Sequence, residues 1–138
     1  MGSSFVGYID FLGEKDGELY VVDNKSRVLK PRSGRKAPTK SDLELDSYLN
    51  QLYLYSAAVE QEYGKLPKAL CFNCFRTPLL IEEPFMEQAY ADSKRWLSDK
   101  VGEIARETDF RPDAEYFKCT HLCEMNEFCE YYRLSQKR

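Results

Sequence analysis

Asp10 closes the run Gly7-Tyr8-Ile9-Asp10, and thirteen positions later Asp23 opens Asp23-Asn24-Lys25-Ser26. Each acid ends an apolar, β-prone run, and a short turn from Glu14 to Gly17 lies between the runs. Two neighbouring strand ends would bring the carboxylates together, with a lysine two residues past the second. Carboxylate oxygens suit hard divalent cations such as Mg²⁺ or Mn²⁺. A nearby ammonium can hold an attacking water or offset charge growing on a phosphate oxygen. Two acids and a lysine on a hairpin form the minimum set for metal-assisted phosphodiester hydrolysis. The tripeptide Asp-x-Lys alone carries little, because an acid at a strand end usually meets water or caps a turn. The order of the elements that follow gives it weight.

Those elements can be placed from pattern. Phe5 to Phe11 and Glu18 to Asn24 read as antiparallel strands joined through Lys15-Asp16-Gly17, with its Asp-Gly turn signal. A stretch without hydrophobic period runs on to about Ser41. Ser41 or Asp42 is then the expected helix N-cap, with Glu44 in the first turn. Leu45, Leu49, Leu52, Ser56, Val59 and Tyr63 recur at three- and four-residue steps and should face a core. Gly64 fits the C-cap, with Pro67 soon after. Lys68 to Phe75 reads as a third strand, and Thr77 to Glu82 as its short partner. A second helix is expected from about Pro84 to Arg106, with Met86, Tyr90, Leu97, Val101 and Ile104 as its apolar stripe. This order makes one α/β domain over 1–138, with a core over 5–109 and a cysteine-containing tail over 110–138.

Gln51 and Tyr55 are four apart on the first helix and so share a face. They flank the apolar stripe, and a helix packed on the sheet could aim both at the acidic cluster. A glutamine amide both donates and accepts, and a tyrosine hydroxyl can bond a phosphate. The plain alternative is a sticky amphipathic helix with no such role. Lys30, Arg32, Arg35, Lys36 and Lys40 crowd into eleven residues just after Lys25. That loop is either a solvated linker or a contact for the phosphates of nucleic acid, through Lys30, Arg32, Arg35 and Lys36.

An acid after a strand, Asp-x-Lys on the next strand, then a helix with Gln-x-x-x-Tyr resembles the PD-(D/E)xK nuclease superfamily. The chain looks most like its RecB-like branch, which includes exonucleases related to CRISPR adaptation nucleases. The residues that carry the resemblance are Gly7-Tyr8-Ile9-Asp10, Asp23-Asn24-Lys25-Ser26 and Gln51-Leu52-Tyr53-Leu54-Tyr55. It implies a restriction-endonuclease-like α/β core, a central mixed β-sheet flanked by helices. It further implies that Asp10, Asp23 and the backbone carbonyl of Asn24 hold Mg²⁺ or Mn²⁺. Lys25 would orient the water or stabilise the transition state, and Gln51 and Tyr55 would support the site and the DNA. RecB-like nucleases usually carry a helix ahead of the first strand that supplies a further His or Glu. The expectation here is that this helix is missing and that activity is reduced accordingly.

Cys119, Cys123 and Cys129 form Cys-x₃-Cys-x₅-Cys in the tail. They resemble the downstream trio with which some relatives hold a [4Fe–4S] cluster, whose fourth ligand would lie in an N-terminal segment of a full-length form. Zinc is a second reading, with His121 completing a Cys₃His set of awkward geometry. A tail that merely packs is the third. Cys71 and Cys74 read as small core residues, and disulfides are not expected.

The bulk properties exclude more than they assign. Apolar residues make up 43% and aromatics 14% of 138 residues, ample for a packed fold. No apolar run is long enough to span a bilayer and no signal peptide is evident, so the expected location is the cytoplasm, away from membrane. A net charge of −3 does not by itself advertise nucleic-acid binding. With His121 the sole histidine and no Gly-rich phosphate loop, histidine triads and dinucleotide enzymes are excluded. The expected partner is DNA, as single strands or duplex ends, with a protein partner in recombination, repair or phage defence. The rival expectation is a nuclease-like module that binds nucleic acid or a partner protein without cutting. A redox or zinc protein built on the cysteines would leave the rest of the pattern without a purpose.

Overall fold

A computed structural model describes residues 4–136. The chain divides into two compact units, one ending at Gly102 and the other beginning at Glu103. The first holds four strands, β1 (Phe11–Lys15), β2 (Glu18–Lys25), β3 (Ala69–Cys74) and β4 (Leu79–Pro84), and the long helix α1 (Lys40–Tyr63). Helix α2 (Glu87–Arg106) begins in the first unit and ends in the second. The second unit contains a π-helical turn at Lys118–Leu122, a 3₁₀ turn at Asn126–Phe128 and the short helix α3 (Tyr132–Ser135). Among the described residues no helix is long and apolar enough to cross a membrane.

The sheet is mixed, in the order β1-β2-β3-β4. β1 and β2 form a hairpin whose pairs run from Lys15–Glu18 to Phe11–Val22. Asp16 and Gly17 make its two-residue loop with φ of 53° and 77°, the left-handed pair that matches strand twist. β2 and β3 are parallel, and parallel neighbours need a long crossover, which α1 supplies. β4 returns antiparallel to β3. This is the α/β architecture expected from the sequence, a central mixed sheet with flanking helices.

The first strand departs from its expected span of Phe5 to Phe11. The two-residue turn sets the register, so the partner of β2 must lie over 11–15, however β-prone the preceding run is. Asp10 therefore stands just before a strand rather than at the end of one. The N-cap of α1 is Thr39, not Ser41 or Asp42. Its hydroxyl accepts the Asp42 N–H while the Asp42 carboxylate accepts the Thr39 N–H, a reciprocal capping box. Gly64 ends the helix in the left-handed region at φ 68°, its N–H donating to the Glu60 carbonyl at 2.9 Å.

The core lies between the sheet and α1. Leu19 and Val21 of β2, Leu70, Phe72 and Cys74 of β3, and Ile81 of β4 pack with Leu45, Leu49, Leu52 and Val59. Tyr63, the expected last member of that stripe, is exposed. Ser56 is tolerated inside because its hydroxyl donates to the Leu52 carbonyl at 2.8 Å. The start of α2 is fastened by aromatics, Tyr53 against Phe85 and Phe85 against Tyr90, each pair 5.3 Å between centroids. Burial, and then its hydrogen bond to Glu60, pushes the Tyr90 phenol up to about 12. Of the stripe expected on α2 only Tyr90 is buried; Met86 and Ile104 stand exposed.

Candidate active site

β2 alternates its side chains between the two faces of the sheet, which puts Leu19, Val21, Asp23 and Lys25 on the face that α1 covers. Asp23 thereby ends up 8% exposed at the rim of an apolar core. A carboxylate so placed needs a partner, and Lys25 Nζ lies 2.8 Å from its Oδ2. Among the described residues no donor points a directed hydrogen bond at that same oxygen. The contact is one of charge, set by distance rather than by donor alignment.

Asp10 reaches the same place from the other side. Its Oδ2 accepts the backbone N–H of Asn24 at 2.8 Å. One step past the last hairpin pair, Phe11–Val22, the register sets Asp10 opposite Asp23. The two acids singled out in the sequence are thus neighbours across the open end of the hairpin. Asn24 is held further by its side-chain oxygen, which accepts from Asn73 of β3 at 2.8 Å.

Helix α1 supplies the roof. Gln51 Nε2 donates to the Tyr55 hydroxyl at 2.6 Å, so the expected pair does form a unit. The Tyr55 ring lies on Gly7, where a Cβ would fall 2.4 Å from its Cε1. The Gly7 position therefore excludes any side chain, and the backbone that leads to Asp10 passes directly over Tyr55. Tyr48, which no motif flagged, has its ring centroid 4.4 Å from Lys25 Nζ. The Tyr48 hydroxyl accepts from Arg27 at 3.3 Å, and Arg27 pairs with Glu44 at 2.6 Å. A signal for Tyr48 is present in the sequence: it stands three before Gln51 and seven before Tyr55, on one helical face.

The basic loop is less free than its composition implied. Leu29 is buried, Ser33 donates twice to Asp42, and Arg32 bridges Asp46 at 2.7 Å and Glu83 at 2.9 Å. Its hydrogen bonds to Asp46 and then to Glu83 hold the Arg32 guanidinium still more firmly in its charged form. Arg32 is tied to two carboxylates of the fold, and it, Lys30, Arg35 and Lys36 are all exposed. A groove of about 660 Å³ follows Arg32, Asp46, Tyr53 and Glu83, and no residue of the acid–lysine cluster lines it.

Asp10 and Asp23 fit a hard divalent cation in donor type, and the register that sets them opposite each other is the observation that carries the fit. They contribute two carboxylates; among the described residues no group of three His, Cys, Asp or Glu side chains is gathered as a metal centre. That holds for the tail as well, where Cys119 and Cys129 are half-buried, Cys123 is exposed and His121 packs against Phe117 at 5.3 Å. Cys71 and Cys74 are buried in β3, and burial pushes the Cys71 thiol up to about 11, which keeps it protonated and inert.

A mixed sheet thus carries a carboxylate pair and a lysine at one strand end, roofed by a helix. The chain belongs to the PD-(D/E)XK nuclease superfamily, whose family model matches residues 2–130. Comparison with curated proteins and with solved structures finds no match.

Proposed function

We propose that the chain is a divalent-cation-dependent DNA nuclease of the RecB-like exonuclease type. One observation carries the proposal: Asp10, tied to the Asn24 N–H, stands beside the buried Asp23–Lys25 pair. Asp10 and Asp23, with the backbone carbonyl of Asn24, would hold Mg²⁺ or Mn²⁺, which supplies a water of lowered pKa and a charge facing the phosphate. Lys25 offsets the charge that grows on the phosphate oxygens. Gln51 keeps the Tyr55 hydroxyl oriented, which leaves the phenolic proton for a phosphate oxygen. Water oxygen bonds to phosphorus as the phosphorus–oxygen ester bond breaks, and the leaving oxygen takes up a proton. Lys30, Arg35 and Lys36 meet backbone phosphates of the strand.

A second reading, a nuclease-like module that binds nucleic acid without cutting, is favoured by the limit of two carboxylates at the site. The test is cleavage of end-labelled single- and double-stranded DNA with Mg²⁺ or Mn²⁺, beside an Asp23→Ala control. Metal-dependent cutting that the control lacks supports the enzyme. Binding without cutting, by a folded chain, supports the module.

A further inference from the structure

Lys25 has two partners of different kinds. Its ammonium is 2.8 Å from Asp23 Oδ2 and 4.4 Å from the Tyr48 ring centroid, with the Phe72 ring at 6.0 Å. The side chain is only 19% exposed, so water cannot readily replace a partner that is removed. Tyr48 is itself held in place, its hydroxyl by Arg27 and its ring against Phe72 at 6.2 Å in an edge arrangement. A cation within about 6 Å of an aromatic face is attracted by the ring quadrupole, more strongly the less water reaches it.

The Asp23 oxygen that faces Lys25 is closed to solvent and receives no directed hydrogen bond, so the ammonium is what offsets its charge. A divalent cation on either oxygen of Asp23 takes up the charge that holds Lys25 and repels the ammonium, so the pairing weakens whenever that carboxylate ligates a metal. We propose that Tyr48 is a positioning residue for Lys25: its ring retains the ammonium in the site when Asp23 is given over to a divalent cation. The proposal rests on the nuclease reading and adds a residue outside its motifs. While Lys25 is neutralised by Asp23 the ring contributes little; once the pairing is broken the ring is the remaining partner. Tyr48 thus favours the metal-bound state over the free one, and it does so only through Lys25.

The experiment is a calorimetric titration of Mn²⁺ alone into the whole chain, with thermal melting of each variant alongside. Tyr48→Phe, which keeps the ring, should bind Mn²⁺ within about twofold of the unmodified chain. Tyr48→Leu should bind roughly three- to tenfold more weakly, and Lys25→Met more tightly, since the competing charge is gone. In the Lys25→Met background, Tyr48→Leu should have no further effect. A Tyr48→Leu loss that persists without Lys25, or no loss at all, overturns the positioning role. If the folded, unmodified chain takes up no Mn²⁺, the nuclease reading falls and this role falls with it.

Discussion

Asp10 and Asn24, fourteen residues apart, are joined by a 2.8 Å hydrogen bond from the Asn24 N–H to the Asp10 carboxylate. It continues the hairpin by one rung after the backbone pairs have stopped at Phe11–Val22. The hairpin therefore ends in two carboxylates instead of fraying, so strand pairing itself sets the two acids side by side.

The approach to Asp10 depends on Gly7. Gly7→Ala places a methyl group 2.4 Å from the Tyr55 ring, whose hydroxyl is held by Gln51. The expected result is displacement of the 7–10 segment and a loss of metal-dependent cleavage of roughly tenfold to a hundredfold, as for a small misplacement of a catalytic group. Thermal melting should move little, since Gly7 is exposed. An unchanged cleavage rate would separate Tyr55 from the placement of Asp10.

Breaking the buried ion pair from one side should cost more than an exposed pair is worth. Exposed pairs contribute about 0.2–1 kcal/mol, whereas an orphaned buried polar group costs about 1–3 kcal/mol. With side-chain exposures of 19% and 12%, Lys25 and Asp23 belong with the second kind. Lys25→Ala should therefore abolish cutting and also lower the melting temperature by several degrees. The double change Asp23→Asn with Lys25→Met should recover most of that stability, because no charge is left without a partner. Differential scanning calorimetry of the single and double variants beside the unmodified chain decides it.

Acid should release the basic loop. The Ser33 hydroxyl and N–H, with the Thr39 N–H and hydroxyl, hold the Asp42 carboxyl well below the usual carboxylate range. A depressed folded value gives stability that is complete above the unfolded value of about 3.9 and is lost as pH falls below it. The urea midpoint of the unmodified chain should exceed that of Asp42→Asn by a constant margin near neutrality. The margin should shrink below about pH 4. A margin independent of pH would mean that the hydrogen bonds do not depend on the charge.

The cations of the loop should separate into two classes. Arg32→Gln breaks the bridge between Asp46 and Glu83 and should lower thermal stability. Joint neutralisation of Lys30, Arg35 and Lys36 should leave melting unchanged and weaken DNA binding. It should reduce the slope of log affinity against log salt by about 0.7–0.9 for each phosphate that the loop no longer neutralises. An unchanged slope would return the loop to the role of a linker.

Local chemistry makes most of the elements legible in the sequence. The alternation of β2, the apolar stripe of α1 and the Gly64 cap each follow from a few adjacent residues. The first strand is the exception, because Phe5 to Phe11 satisfies strand propensity, whereas its pairing depends on where the Asp16–Gly17 turn sets the register. Counting back from that turn finds it. The capping box is legible too, as Thr39 and Asp42 stand three apart. The role of Arg32 is not, since Asp46 and Glu83 are remote in sequence and its charge looks the same paired or free. In the site, Asp10, Asp23 and Lys25 are brought together and Gln51 bonds Tyr55. Tyr48 escapes a motif search because its role depends on which face of a helix meets a particular lysine.

The parallel pairing of β2 with β3 bears on how little of the chain could carry this chemistry. Both acids and the lysine belong to residues 10–25, a hairpin that a short peptide could reproduce. That peptide would lack Phe72, Asn73 and Tyr48, which come from the crossover helix and from the strand beyond it. Two strands alone are marginal in water, and their carboxylates would be solvated rather than held at a rim. Forming the crossover closes a long loop before the parallel contacts can repay it, so the sheet should assemble slowly compared with the hairpin. The two acids and the lysine are close together in sequence, yet the arrangement they form exists only in the completed fold.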